Sequence, residues 1–231
     1  SGPRKATATV SAEIGRFRAL MIESSTGEDW KYPLEALRVY PGIAPQFMGQ
    51  EQLATELPDT PEGLAARWET IIIGDTGGGA ADFTRRQLQA IAGFVRAGGG
   101  LMTIGGARCY TAGGFDKTPL AEILPVDLAD GAYQMGEVHV RVLRPELVFF
   151  EGYDPAFPAF GAHQLLRARP GADVIAEFDD GTPFVTLGTA GKGRVLAMGA
   201  IWNHGSGAAF RQWARYGTFV GRCVRWTAKD L

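Results

Sequence analysis

The sequence predicts an α/β fold: a central, mostly parallel sheet covered by helices on both faces, with an antiparallel extension in the C-terminal half. Three observations predict it. The run Thr70 to Asp75, "TIIIGD", is β-branched and apolar and ends on a glycine and a carboxylate, as a buried strand does. One amphipathic segment with short glycine-rich connections separates it from the next apolar run, Leu101 to Ile104, which is the rhythm of parallel strands joined by a covering helix. The stretch 173–201, "DVIAEFDDGTPFVTLGTAGKGRVLAMGAI", reads as three strands joined by hairpin turns at "DDG" and "GKG".

The elements follow in order. Residues 1–15, "SGPRKATATVSAEIG", read as a flexible polar tail, and 16–231 as one domain, since 231 residues suit one large α/β unit better than two. Phe17 to Glu23, "FRALMIE", is a buried first strand. Trp30 to Tyr40 has helical spacing, and Pro33 fits its first turn, where a missing N–H costs nothing. "IAPQFMG" at 43–49 is a second strand, at the sheet edge. "TGGGAADF" at 76–83 is a loop. Thr84 to Ala97 is a helix with Leu88, Ile91, Phe94 and Val95 on one face and Thr84 near its N-cap; the glycines 98–100 stop it. "GEVHVRVL" at 136–143 alternates like a strand. Ala208 to Lys229 reads as a closing helix packed on the sheet.

Composition narrows the function. Apolar residues make up 45%, charged residues 21%, and the net charge of −2 leaves no electrostatic footprint for nucleic acid or anionic lipid. No apolar run approaches the roughly 18 residues that span a bilayer, and no segment reads as a signal peptide. A soluble chain is expected, with no direct membrane insertion. Cys109 and Cys223 stand far apart, so reduced thiols are expected. Neither GxxxxGK[ST] nor a GxGxxG after the first strand is present, so no nucleotide and no cofactor is expected. Three histidines without close Cys or Asp spacing predict no metal site.

In open α/β sheets, ligands bind beyond the carboxyl ends of the strands. Glu23, Asp75, the loop 105–114 ("GGARCYTAGG") and the segment "IWNHGSG" at 201–207 all fall at strand ends. If the first, third and fourth strands are neighbours, these line one crevice. Two roles fit Cys109: a nucleophile whose proton passes to His204 while amides near Gly106 and Ala107 hold the oxyanion, or a small apolar residue in a glycine-shaped loop. His204 is a base or a loop histidine bonded to backbone, whereas His139 and His163 read as structural or exposed. Asp75 binds a ligand or caps the glycine loop; Glu23 binds a ligand or, with "SSTGED" after it, opens an N-cap region. Asn203, Gly105 and Gly106 complete the candidate ligand set.

"WETIIIGD", the helix after it, "FVRAGGGLMTIGGARCYTAGGFDKTPLAEILPV", "GRVLAMGAIWNHG" and a final Trp- and Tyr-containing helix together resemble the glutamine amidotransferase-like domains of bacteria, from about Phe17 to Trp226. The resemblance implies a flavodoxin-like three-layer sandwich similar to class I glutamine amidotransferases. It also implies a cytoplasmic chain or a soluble part of a membrane-anchored protein. Active class I enzymes hold the nucleophile in a tight G-x-C-x-G elbow and use a His-x-Glu pair after a late strand. Here Gly106 precedes Cys109 by three residues, Thr111 stands two after it, and Ser206 stands two after His204. The expectation is therefore an atypical or non-catalytic module. It would bind a small ligand or protein at Glu23, Asp75, Gly105, Gly106 and Asn203. A thiol hydrolase using Cys109 and His204 is the rival. A module that assembles through its edge strands is a third reading, and assembly as a homodimer stays open.

Overall fold

The computed structural model describes residues 16–24, 27–128, 132–203 and 205–231. The tail expected at 1–15 lies outside the described residues.

The first half alternates strands and helices: β1 (Phe17–Glu23), α1 (Lys31–Val39), β2 (Ile43–Gly49), short helices α2 (Leu53–Glu56) and α3 (Pro61–Ala65), β3 (Thr70–Ile73), α4 (Arg85–Ala97) and β4 (Gly100–Ile104). The second half is mostly strand: β5 (Val126–Asp127), β6 (Tyr133–Val138), β7 (Val140–Val142), β8 (Phe160–Gln164), β9 (Arg167–Ala168), β10 (Asp173–Phe178), β11 (Pro183–Ala190) and β12 (Gly193–Met198). Helices α5 (Ala208–Gln212) and α6 (Tyr216–Thr227) close the chain.

Eight strands form the central sheet in the order β2-β1-β3-β4-β12-β11-β10-β7. The first five run parallel, and the hairpins β12–β11–β10, followed by β7, make the antiparallel extension. This is the predicted class, an α/β/α sandwich of flavodoxin-like type. The alternation of β1 sorts the layers. Ala19 and Met21 enter the core under α1 and α6, while Leu20 and Ile22 enter the core under α2, α3 and α4. Glu23 continues the Ala19–Met21 side, because strand side chains alternate with period two.

Helix α4 is closed at its N-terminus as its sequence predicts. Thr84 Oγ1 accepts from Gln87 N (3.2 Å), and Gln87 Oε1 accepts from Thr84 N (2.9 Å), a reciprocal capping box. The same Gln87 donates Nε2 to the carbonyls of Leu53 (2.5 Å) and Leu57 (3.1 Å), which fastens α2 to α4.

Two expected elements divide. "GEVHVRVL" is two strands in two sheets: β6 pairs with β8 in a separate ribbon, and β7 pairs with β10. The division falls at His139, and within β6 the pairing with β8 shifts register between Met135 and Val138, where Gly136 takes φ +141°, a conformation that favours glycine. The closing helix breaks at Trp213, whose backbone is extended (φ −65°, ψ 132°). Its indole packs against Phe157 (ring centroids 4.6 Å) and Tyr153 (5.7 Å), and this aromatic packing outweighs the helical periodicity.

Replacing Thr84 with Ala is expected to lower stability by about 1 kcal/mol. Gln87→Ala, which also removes the side-chain donor shared by the Leu53 and Leu57 carbonyls, is expected to cost about 1–3 kcal/mol. Urea unfolding midpoints of the two variants check the order.

Candidate functional site

Strands β1, β3 and β4 are neighbours, which is the condition on which the sequence reading of one shared crevice depended. Ser24 N donates to the Asp75 carbonyl (2.9 Å), tying the exit of β1 to that of β3. The lip after β4 is glycine for lack of space. A Cβ on Gly105 would stand 2.7 Å from the backbone of Gly199, and one on Gly106 would stand 2.9 Å from Asp75 Oδ2. Asp75 holds the two glycine loops: Oδ1 accepts from Gly77 N and Oδ2 from Arg108 N, each at 3.2 Å. Gln164, from β8, locks the lip from behind by donating Nε2 to the Gly106 carbonyl (2.6 Å) and its backbone N to Gly199 O (2.7 Å).

Glu23 is the centre of the arrangement. It is 2% exposed and still reaches the edge of a cleft of about 290 Å³ shared with Asp29, Trp30, Asp75 and Asn203. Asn203 Nδ2 donates to Glu23 Oε1 (2.6 Å), and Trp202 Nε1 lies 3.4 Å from both carboxyl oxygens. Gly74 makes room for the carboxyl, since a Cβ there would stand 3.1 Å from Glu23 Cδ. Burial pushes the Glu23 carboxyl up to about 8; the Asn203 and Trp202 donors oppose this, and the Asp75 and Asp29 charges add to it. Asp29 is bound by Arg211 Nη1 (2.6 Å), which also donates to the Asn203 carbonyl (2.9 Å).

Cys109 occupies the other side of the sheet, in the core under α4. It is 4% exposed and lines a gap of about 10 Å³ with Ile73, Ile104, Phe115 and Leu124, room for about one water. Burial, then the charges of Asp75 and Glu23, raise its thiol well above the ordinary range. Tyr110, next to it, has φ +51°, an uncommon value for an aromatic residue. Its hydroxyl lies 2.9 Å from the Met198 carbonyl and 3.0 Å from Thr103 Oγ1, which pins the loop between β4 and β12. His163 bonds Asp180 (2.8 Å) and is buried, a structural role.

Of the predicted residues, Glu23, Asp75, Gly105, Gly106 and Asn203 come together at the strand ends. Cys109 lies within electrostatic reach of both carboxylates but faces the opposite core. His204, and Ser25 and Thr26 of the "SSTGED" stretch, lie outside the described residues. Asp29, Trp30 and Gln164 join the site without having been expected. Asp29 and Trp30 sit in the turn before α1, where only the nearness of two polar strand ends signals them.

The fold, with its polar crevice at the strand ends, is that of a flavodoxin-like α/β protein. The family model described as "Putative glutamine amidotransferase" matches residues 21–229, and the chain belongs to that family. A cytoplasmic protein of Salmonella typhimurium LT2 is similar at 26% identity, with a TM-score of 0.80 over 91% of this chain and 99% of that one. A second Salmonella typhimurium cytoplasmic protein shares the fold at 21% identity, with a TM-score of 0.80 over 91% and 98%. A ThuA-like protein of Bacteroides uniformis shares it at 14% identity and a TM-score of 0.57, over 89% and 92%. No curated protein matches the chain in sequence. None of the described helices is long and apolar enough to cross a membrane.

The raised carboxyl makes folding pH-dependent. Glu23 ionises near 4.5 when unfolded and near 8 when folded, so between these values the folded chain holds the extra proton. Its contribution is complete below about 4.5 and is lost as the pH rises through about 8. Chemical unfolding at pH 5.5 and 8.5 is expected to show lower stability at the higher pH, and Glu23→Gln is expected to reduce that difference.

Proposed function

We propose that this chain is a ligand-binding member of its family, with its site in the cleft of Glu23, Asp75, the Gly105–Gly106 lip and Asn203, and that Cys109 carries out no thiol chemistry. The observation that carries this reading is the placement of the Cys109 thiol among apolar side chains on the far side of the sheet. A cysteine nucleophile acts as the thiolate, and both burial and the neighbouring carboxylates keep this one protonated. The position after β4 that carries the unusual positive φ holds Tyr110, whose side chain is committed to Met198 and Thr103. The cleft is concave, lined by convergent polar groups, and at about 290 Å³ close to the lower end of the range for small-molecule sites. A small ligand therefore fits it better than a protein surface. A cytoplasmic location belongs to the same proposal. It is supported by two buried free cysteines and by the 26% identical Salmonella relative, itself a cytoplasmic protein.

Iodoacetamide labelling of the native chain tests the thiol. Cys109 is expected to react at least about 100-fold more slowly than a free thiol, whose pKa is about 8.5, and to react readily only on unfolding. Rapid labelling with a lower apparent pKa, or glutamine hydrolysis that vanishes in Cys109→Ser, would establish the rival thiol hydrolase with His204 as base.

A further inference from the structure

The β6–β8 ribbon is fastened to the molecule unevenly. One end is anchored by packing. Val138 pairs with Phe160, both are buried, and the Phe160 ring meets those of Phe184 and Phe210 at 5.2 Å. Just beyond β8 the chain is anchored again by Leu166, in the core under α4. Between these anchors the hold is polar. After Phe160, Ala162 is the one apolar side chain that β8 buries, and on β6 the residues Gln134 to Glu137 are exposed, Met135 to 72%. Three points fasten this middle part. Gln164 donates Nε2 to the Gly106 carbonyl (2.6 Å) and its backbone N to Gly199 O (2.7 Å). The hydroxyls of Tyr133 and Ser206 share a hydrogen bond of 3.0 Å, and His163 bonds Asp180.

Two of these points carry a cost. Gln164 Oε1 and His163 Nδ1 are buried and have no hydrogen-bond partner among the described residues. Such an atom has given up its water and gained nothing in exchange. Lifting the middle of the ribbon hydrates both atoms, which offsets part of the cost of breaking the three fastenings, and it exposes little apolar surface. Few buried apolar contacts, together with bonds that water can replace, mark a segment that opens on its own while the rest of the chain stays folded. A joint is present as well, since Gly136 takes φ +141° where the β6–β8 register shifts.

The fastenings reach two walls of the cleft from behind. Gly106 backs onto Asp75, whose carboxylate holds Arg108 N, and the Gly106 carbonyl that Gln164 binds also accepts from Cys109 N (3.2 Å). Ser206 stands three residues after Asn203, which lines the cleft together with Asp75. Resting on the ligand-binding reading for what the device serves, we propose that the β6–β8 ribbon is a releasable strap. With the strap down, the glycine lip and the segment after β12 are held in register with each other. With it lifted, both loosen together. A ligand that needs both walls in place favours the strap-down state, so occupancy of the cleft and release of the ribbon oppose one another.

Native-state hydrogen exchange, followed residue by residue by NMR on the full chain without ligand, tests this. The bonded amides of Gln164 and Leu165 report the strap, those of Arg108 and Cys109 report the lip, and those of Ile91 and Phe94 within α4 report the core. Strap and lip amides are expected to exchange through one shared opening, at least about tenfold faster than the α4 amides. Tyr133→Phe removes the bond to Ser206, which does not involve the lip. The substitution speeds exchange only through openings that break that bond. It is therefore expected to speed exchange about two- to tenfold, the weight of one hydrogen bond, at Gln164, Leu165, Arg108 and Cys109 alike. Lip amides that exchange only as slowly as α4, or that exchange faster but ignore Tyr133→Phe, overturn the strap. Either failure leaves the ligand-binding reading standing, since no ligand enters the experiment and the Cys109 labelling tests that reading separately.

Discussion

One buried carboxyl organises the strand-end face of this protein. Glu23 ends β1, and its partners Trp202 and Asn203 follow β12, three places along the sheet. The segment after β12 must therefore reach back across β3 and β4 to meet it. An isolated ionised carboxylate would be too costly at that depth, and a protonated, hydrogen-bonded one is not. The surrounding sequence follows from that need. Gly74 clears the space, Trp202 closes the core beneath, and Arg211 holds both Asn203 and Asp29 in position.

The loop after β4 divides between the two sides of the sheet. Its glycine lip faces Asp75 and the backbone of Gly199, while the residues that follow turn into the opposite core. Tyr110 sets that turn. A bulky side chain in the left-handed region is strained unless its surroundings hold it, and the Met198 and Thr103 contacts do so. Cys109 is carried inward with it and serves the core as a small apolar group.

Much of the architecture was legible in the residues. The β-branched run of β3, the capping box of α4 and the two hairpin turns of the extension are local signals, and local chemistry decided them. The misread elements are those decided by distant partners. β6 and β7 part because β8 and β10 compete for one alternating stretch, and α5 and α6 part because Trp213 has aromatic neighbours from elsewhere in the chain. The site divides in the same way. Glu23, Asp75 and Asn203 were visible as polar residues ending apolar strands. Asp29, Trp30 and Gln164 were not, because a turn and an accessory ribbon bring them in. The direction Cys109 faces could not be read, since a glycine-rich loop permits either side.

The bond between Glu23 and Asn203 closes a separation of 180 residues. At about 5–20 residues per second, a ribosome needs roughly ten to forty seconds to supply that partner. During that interval the nascent β1 can pair with β2 and β3, but its terminal acid stays hydrated. The crevice thus forms only after the strands β1 to β4 have been made, and a chain that stops before residue 202 lacks the side-chain donors of Glu23.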